Sequence, residues 1–172
     1  NSRNPGKEII YLNYAAQAPQ MTNAKCSYWH FRTDANSDMK VAALTSYLAG
    51  QKQVKQVFLL NPNYAYGQEV SRAARSMLAT KRPDLKIVGD DFHPMGQVKD
   101  YAPYIAKIKQ SGANAIVTGN WGADLNLFVK ALKNTSNTPQ MGNWDLMMKN
   151  VYSLGATTTQ KDKFKLDIQY QS

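Results

Sequence analysis

Cysteine is almost absent from this chain, and histidine nearly so. A single thiol, Cys26, excludes an internal disulfide and any cysteine metal cluster. In a reducing compartment it reads as a small buried hydrophobe, and in an oxidising one as the orphan half of a bridge whose partner lies outside the chain. Of the two histidines, His30 reads as packed beside Trp29 rather than catalytic. His93 follows Asp90 and Asp91 closely enough to raise the question of a metal, but adjacent strand residues point to opposite faces, which argues against one. Also missing are a Gly-rich phosphate loop of either common spacing and a Gly-x-Ser-x-Gly elbow. With no activated nucleophile, base or cofactor loop in view, no catalysis, no metal and no cofactor are expected.

Long apolar runs are lacking as well. None approaches the ~20 residues needed to span a bilayer, so no membrane insertion is expected. Residues 1–7 are polar, with no initiator Met and no signal peptide, so the chain reads as a mature or excised piece. Acidic residues are outnumbered, 12 Asp and Glu against 21 Lys and Arg, for a formal net charge of +9. That excess makes an acidic partner worth considering. The basic residues are spread, however: Lys107, Lys109, Lys130 and Lys133 fall on helices whose other face is apolar, where solvation is the default. No basic cluster interleaved with exposed aromatics and no nucleic-acid motif is present, so no nucleic-acid partner is expected.

What the chain does have is alternation. Its 172 residues, 43% of them hydrophobic and 10% aromatic, suit one folded soluble domain with a sizeable core. The organising stretch is Gln56 to Lys81. Val57, Phe58, Leu59 and Leu60 form a continuous apolar run that suits a strand buried on both faces of a parallel sheet. Asn61 to Gly67 then reads as a loop, and from Gln68 the positions Val70, Ala73, Ala74, Met77 and Leu78 carry the stripe of an amphipathic helix ending near Arg82-Pro83.

The same unit recurs along the chain. Glu8 to Asn13, with Ile9, Ile10, Tyr11 and Leu12, predicts a buried strand, followed by a loop of small residues, Tyr14 to Pro19. Tyr28 to Arg32 predicts a short strand. Thr33 to Asp38 supplies capping chemistry for a helix carrying Val41, Leu44, Thr45 and Leu48, closed by Gly50. Leu85 to Phe92 predicts a strand, 91–98 a loop, and Asp100 a cap for a helix with Tyr101, Tyr104, Ile105 and Ile108 on one face, ended by Gly112. Ala115 to Thr118 predicts a short buried strand, Gly119 to Gly122 a loop, and Leu125, Phe128, Val129 and Leu132 one more helix. Further on, 141–145 reads as a strand end and loop, Leu146 to Leu154 as a helix, and Phe164 to Tyr170 as an antiparallel or edge strand. The expected fold is therefore α/β, a three-layer Rossmann-like lobe with a mainly parallel sheet and right-handed crossovers.

Ligands of such sheets sit beyond the carboxyl ends of the strands, so the strand-end loops are the place to look. The loop at 61–67 offers rings and amides, although Asn, Pro and Gly are equally the residues of an ordinary turn, in which Tyr64 packs on the sheet. Trp121 and Trp144 each follow a short strand and either wall a ligand or cover a sheet edge. Asp145 either balances an ammonium group or caps the helix starting at Leu146.

Taken as an ordered set, Cys26-Ser27-Tyr28-Trp29-His30-Phe31-Arg32-Thr33, Asn63-Tyr64-Ala65-Tyr66-Gly67, Tyr104 to Val117 and Gly119-Asn120-Trp121-Gly122-Ala123-Asp124 resemble the substrate-binding proteins of branched-chain amino-acid type ABC transporters, the type I periplasmic binding proteins. The resemblance runs from about Ile9 to Leu132. It implies two α/β lobes that close over a ligand, in a whole protein about twice as long as this chain. By that likeness 1–33 would be the end of the first lobe and the crossover, 34–160 the second lobe, and 161–172 a returning or edge strand. The ligand contacts it implies are Ala15 and Gln17 in the first-lobe loop, Tyr66 just before Gly67, Asn120 and Trp121 in a later strand-end loop, and Trp144 or Asp145 at the acidic position beyond. A small hydroxyl residue is common in that family where Gln17 stands. The implied ligand is accordingly widened from an amino acid to other small carboxylates, amides or aromatic acids. The implied function is capture of a small organic solute in the periplasm and its delivery to a membrane permease. The other reading is a cytoplasmic effector-binding regulatory domain of similar fold.

Overall fold

The structure is a computed structural model and describes residues 1, 3–136 and 151–155. Its elements in chain order are β1 (Tyr11–Asn13), a 3-10 turn (Pro19–Thr22), β2 (His30–Arg32), α1 (Ser37–Gly50), β3 (Gln56–Pro62), α2 (Ala65–Lys81), β4 (Lys86–His93), α3 (Ala102–Gln110), β5 (Ala115–Trp121), α4 (Gly122–Ser136) and β6 (Val151–Gly155). β4, β3, β5 and β6 form one sheet in that order, every pair parallel, while β1 and β2 make a separate parallel pair.

The alternation of side chains along β3 explains the layers. Val57 and Leu59 face α1 and α2, packing with Val41, Leu44, Leu48, Val70, Ala74 and Leu78. Phe58 and Leu60 face the opposite way, into a cluster with Tyr101, Ile105, Ile108, Phe128 and Leu132 of α3 and α4. A strand clothed on both faces has no polar side to show, which is why its sequence is continuously apolar. The fold is thus the three-layer α/β arrangement with a parallel sheet that the sequence pattern predicts, and 57–60 is buried throughout. Capping follows the sequence too: Asn36 Oδ1 accepts from the Met39 N–H at 2.9 Å, opening α1. At α3 the cap position falls to Tyr101 rather than the predicted Asp100, which stands one residue earlier with its Oδ1 accepting from the Ala102 N–H, and Gly112, with φ of +70°, turns the chain after the helix.

Several expectations need correcting. The run at 9–12 is no buried strand: only Tyr11–Asn13 pairs, and Ile9 is 74% exposed, with Ile10, Tyr11 and Leu12 exposed beside it. Among the described residues the 3-10 turn meets this pair, His30 Nδ1 lying 2.9 Å from the Met21 carbonyl. The strands β3 and β5 outrun their apolar cores, to Pro62 and Trp121, because the polar residues that follow find partners inside. Thr118 Oγ1 donates to the Leu60 carbonyl, and the Gly119 N–H donates to Asn61 Oδ1. The loop predicted at 61–67 shrinks to Asn63 and Tyr64, and the helix begins at Ala65. β4 likewise continues to His93.

At the other end of the sheet, Val151 to Leu154 are strand rather than helix, filling the place beside β5. His30 stacks on Tyr11, with ring centroids 5.2 Å apart, while Trp29 meets Tyr28 edge-on. Cys26 is exposed, not buried. The predicted elements at 141–145 and 164–170 lie outside the described residues.

Candidate ligand cleft

The carboxyl ends of β3, β5 and β6 open on one edge of the sheet, and a cleft of about 540 Å³ lies there. Its first wall comes from the tight turn between β3 and α2. A side chain at Gly67 would land on the Pro62 carbonyl oxygen, so only glycine lets α2 start directly over the strand end. That turn sets Tyr64 and Tyr66 side by side, ring centroids 5.9 Å apart and tilted by 47°. Burial, foremost, and the neighbouring Tyr64 and Asp34 push the Tyr66 phenol far above its ordinary pKa, so it stays a neutral O–H donor. Burial likewise raises that of Tyr64.

β5 supplies the second wall. Trp121 is its last residue, 47% exposed, and Gly122 at φ of +56° turns the chain straight into α4. The Trp121 indole donates from Nε1 to the Tyr64 hydroxyl at 3.0 Å, so the rings from two strand ends are tied together. Gly119 makes room behind them: a methyl there would press on Tyr66 Cε1 and Val70 Cγ2, each at 3.3 Å.

The third side is the loop after β1. Buried Asn13 builds it, its Oδ1 accepting from the Ala15 and Ala16 N–H groups and its amide donating to the Ala16 carbonyl. The loop is joined to α1 where the Ser37 N–H donates to the Gln17 carbonyl, and to α2 where Gln20 Nε2 donates to Glu69 Oε1 at 2.8 Å. From α1 comes Lys40, whose Nζ donates to Asp34 Oδ2 at 2.8 Å. Leu154 and Gly155 at the end of β6 complete the described lining.

Of the residues singled out in the sequence, Ala15, Gln17, Tyr66 and Trp121 meet around this cleft. Asn120 does not line it. It is fully buried beneath, its Oδ1 accepting from His93 Nε2 at 2.6 Å. Trp144 and Asp145 lie outside the described residues. Asp90, Asp91 and His93 go separate ways: Asp90 accepts from Ser71 and Arg75, Asp91 from Lys107, and His93 meets Asn120. Sequence reasoning missed Lys40, Leu154 and Gly155, and left Tyr64 open between a ligand contact and packing on the sheet. For Tyr64 the signal was present, since it shares a two-residue turn with a strand end.

With this geometry in view, the likeness to known proteins is informative. Residues 5–161 match the family described as periplasmic binding protein. The chain belongs to that family, and its fold is that of the type I members. "Leu/Ile/Val-binding protein homolog 4" of Brucella abortus (strain 2308) is 31% identical over 132 residues, 76% of this chain and 31% of that protein. In structure, the chain resembles the closed leucine-, isoleucine-, valine-, threonine- and alanine-binding protein of Brucella ovis. The TM-score is 0.72 at 24% identity, over 95% of this chain and 39% of the other. It also resembles the solute-binding protein of an ABC transporter from R. palustris in complex with 4-hydroxybenzoate. There the TM-score is 0.66 at 21% identity, over 81% of this chain and 34% of the other. The chain therefore spans about a third of the length of such relatives, rather than the half that the sequence reading implies.

Proposed function

We propose that this chain is the ligand-facing part of a periplasmic solute-binding protein that captures a small organic solute and hands it to the permease of an ABC importer. In this reading 34–160 form the second of two lobes, with the β1–β2 pair belonging to the first. One observation carries it: Tyr66 and Trp121, 55 positions apart in sequence, meet the 15–18 loop around one cleft at the sheet edge where α/β ligands bind. Family membership supports the class. The Brucella ovis and R. palustris proteins widen the candidate solutes from aliphatic amino acids to an aromatic acid. A binding rather than catalytic role is favoured because the lining offers rings, methyl groups, one amide and one ammonium, while Asp91 and His93 are engaged elsewhere. No feature of the cleft favours a cytoplasmic regulatory domain.

Titrating a panel of amino acids and aromatic acids while following tryptophan emission tests the reading, with Trp121→Phe identifying the reporter. Saturable quenching that disappears in Trp121→Phe, and is tighter in a two-lobed parent protein than in this chain, is the expected result. Closure from a second lobe buries more of the ligand and supplies further polar partners. No response to any member of the panel in either protein would overturn it.

A further inference from the structure

The cleft contains one residue whose position the fold does not explain. Lys40 sits in the first turn of α1, whose hydrogen bonds begin when the Lys40 N–H donates to the Asn36 carbonyl. A cation there opposes the helix dipole, which favours negative charge at that end. Its ion pair with Asp34 is partly exposed, the side chains being 18% and 38% accessible. Pairs of that kind contribute little to stability. Yet Lys40 is held in place: Asp34 Oδ1 accepts from the Ala35 N–H while Oδ2 takes Lys40, pinning the ammonium beside the cleft.

Among the described lining residues Lys40 alone carries a formal charge, and its carboxylate partner stands outside the lining. An ammonium has three N–H donors, and Asp34 accepts one of them. The other walls are the rings of Tyr64, Tyr66 and Trp121, the methyl groups of Ala15, Ala16, Ala18 and Ala65, and the Gln17 amide, whose buried Oε1 has no hydrogen-bond partner. Tyr66 keeps its phenolic proton and can add an O–H donor near the same corner, since it also feels the charge of Asp34. Flat faces beside one fixed cation suit a flat apolar body ending in one anionic group.

Resting on the binding role proposed above, we infer that Lys40 is the anion-recognising residue of the cleft. Its ligand class is small aryl monocarboxylates, which it takes in preference to zwitterionic amino acids. The carboxylate accepts from Lys40 and the ring lies against Tyr66 and Trp121. Asp34 acts as a positioning residue that orients the ammonium without touching ligand.

Three probes of one skeleton isolate the charge: 3-phenylpropanoate, its neutral amide 3-phenylpropanamide, and phenylalanine, which adds only the α-ammonium. Each is titrated by calorimetry into the full chain, into Lys40→Met and into Lys40→Arg, with circular dichroism confirming the fold of each. The carboxylate is expected to bind roughly tenfold or more tightly than the amide, the loss corresponding to one charge-assisted hydrogen bond, and more tightly than phenylalanine, whose α-ammonium would be desolvated in a cleft whose described lining holds no carboxylate to meet it. Lys40→Met should erase the margin of the carboxylate over the amide, and Lys40→Arg should restore part of it. The comparison among probes in the unmodified chain does not depend on any variant folding. Phenylalanine or the amide binding as tightly as the carboxylate overturns the inference and leaves the cleft reading standing. So does an affinity for the carboxylate that Lys40→Met leaves unchanged. Silence from all three probes overturns the inference, and silence extending to the wider panel overturns the cleft reading too.

Discussion

Arg82→Met should be the most damaging single change outside the apolar core, because Arg82 is a buried cation with all its donors used. It is 2% exposed. Nη1 donates to the Leu48 and Gln51 carbonyls at 2.9 and 3.1 Å, and Nη2 to the Val54 carbonyl at 2.8 Å. Nε and Nη2 together grip Asp84 at 2.7 and 3.0 Å. Five N–H groups meet five acceptors, the full capacity of a guanidinium. The residue thereby ties the end of α1 and the lead-in to β3 onto the end of α2, fixing the two helices that carry Lys40 and Tyr66. Methionine keeps most of the apolar stem but none of the donors. The Leu48 and Gln51 carbonyls each retain a backbone partner, from Gln51 and Val54. The Val54 carbonyl is left bare, and Asp84, about half exposed, rehydrates. One orphaned carbonyl plus the loss of charge-assisted bonds to two others comes to about 3 kcal/mol. With a urea slope of ~2 kcal/mol/M that moves the midpoint down by about 1.5 M, and the melting temperature by roughly 6–12 °C. Urea titration followed by far-ultraviolet circular dichroism reads the shift. Arg82→Lys should recover less than half, since an ammonium cannot reproduce the fork. A midpoint for Arg82→Met within about 0.3 M of the unmodified chain would show that the clamp contributes nothing.

Gly119→Ala should weaken ligand binding more than it weakens the fold. The added methyl meets Tyr66 Cε1 and Val70 Cγ2 at 3.3 Å and Asn61 Oδ1 at 3.2 Å, and of these the Tyr66 ring can give way into the cleft. A stability loss of about 1–2 kcal/mol by thermal melting, with a larger proportional loss of affinity by calorimetry, is expected, and unchanged affinity would contradict this placement of the ring. Stability should also fall on the alkaline side. Burial, first, raises the phenols of Tyr66 and Tyr101 above their ordinary value, with Tyr64 and Asp34 adding to the first and Asp124 and Tyr104 to the second. Above pH ~10 the unfolded chain releases these protons while the folded one keeps them, so folding binds more protons and stability declines as pH rises further. Urea midpoints flat from about pH 8 to 9.5 and falling beyond 10 are expected, with a shallower fall in Tyr66→Phe, and a midpoint that rises above pH 10 would refute the assignment.

The layers of this fold were legible because each central strand is apolar without interruption and each helix carries a stripe. Strand ends were not, for a reason visible in β5. Gly119 and Asn120 read as loop residues, yet both are buried, the Gly119 N–H met by Asn61 Oδ1 and Asn120 Oδ1 by His93 Nε2. Pairing across strands, which no local pattern encodes, decided where the strand stopped. The same tertiary effect made Val151 to Leu154 a strand, since the edge of β5 offered backbone partners that a helix could not use. The run at 9–12 misled in the other direction. Its composition is that of a buried strand, and burial depends on what lies above it, which in this chain is solvent among the described residues.

The cleft divides along a similar line. Ala15, Gln17 and Tyr66 were singled out by the family resemblance, and Trp121 also by its place after a short strand; a parallel sheet gathers such strand-end loops on one edge whatever their separation in sequence. Asn120 was one residue away and lost its place to alternation: along β5, Trp121 emerges from the sheet end while its neighbour turns inward to His93. Lys40 was invisible for a different reason. On a helical wheel it flanks the stripe of Val41, Leu44 and Leu48, one turn before Leu44, a border position where a lysine ordinarily reaches out to water, and no periodicity separates a border that meets water from one that meets a cleft. What distinguishes it is the crossing of α1 past the 15–18 loop, fixed by the bond from the Ser37 N–H to the Gln17 carbonyl. That contact brings a surface cation to the rim of three aromatic rings. A residue that determines which solute is accepted can thus lie outside every motif that identifies the fold.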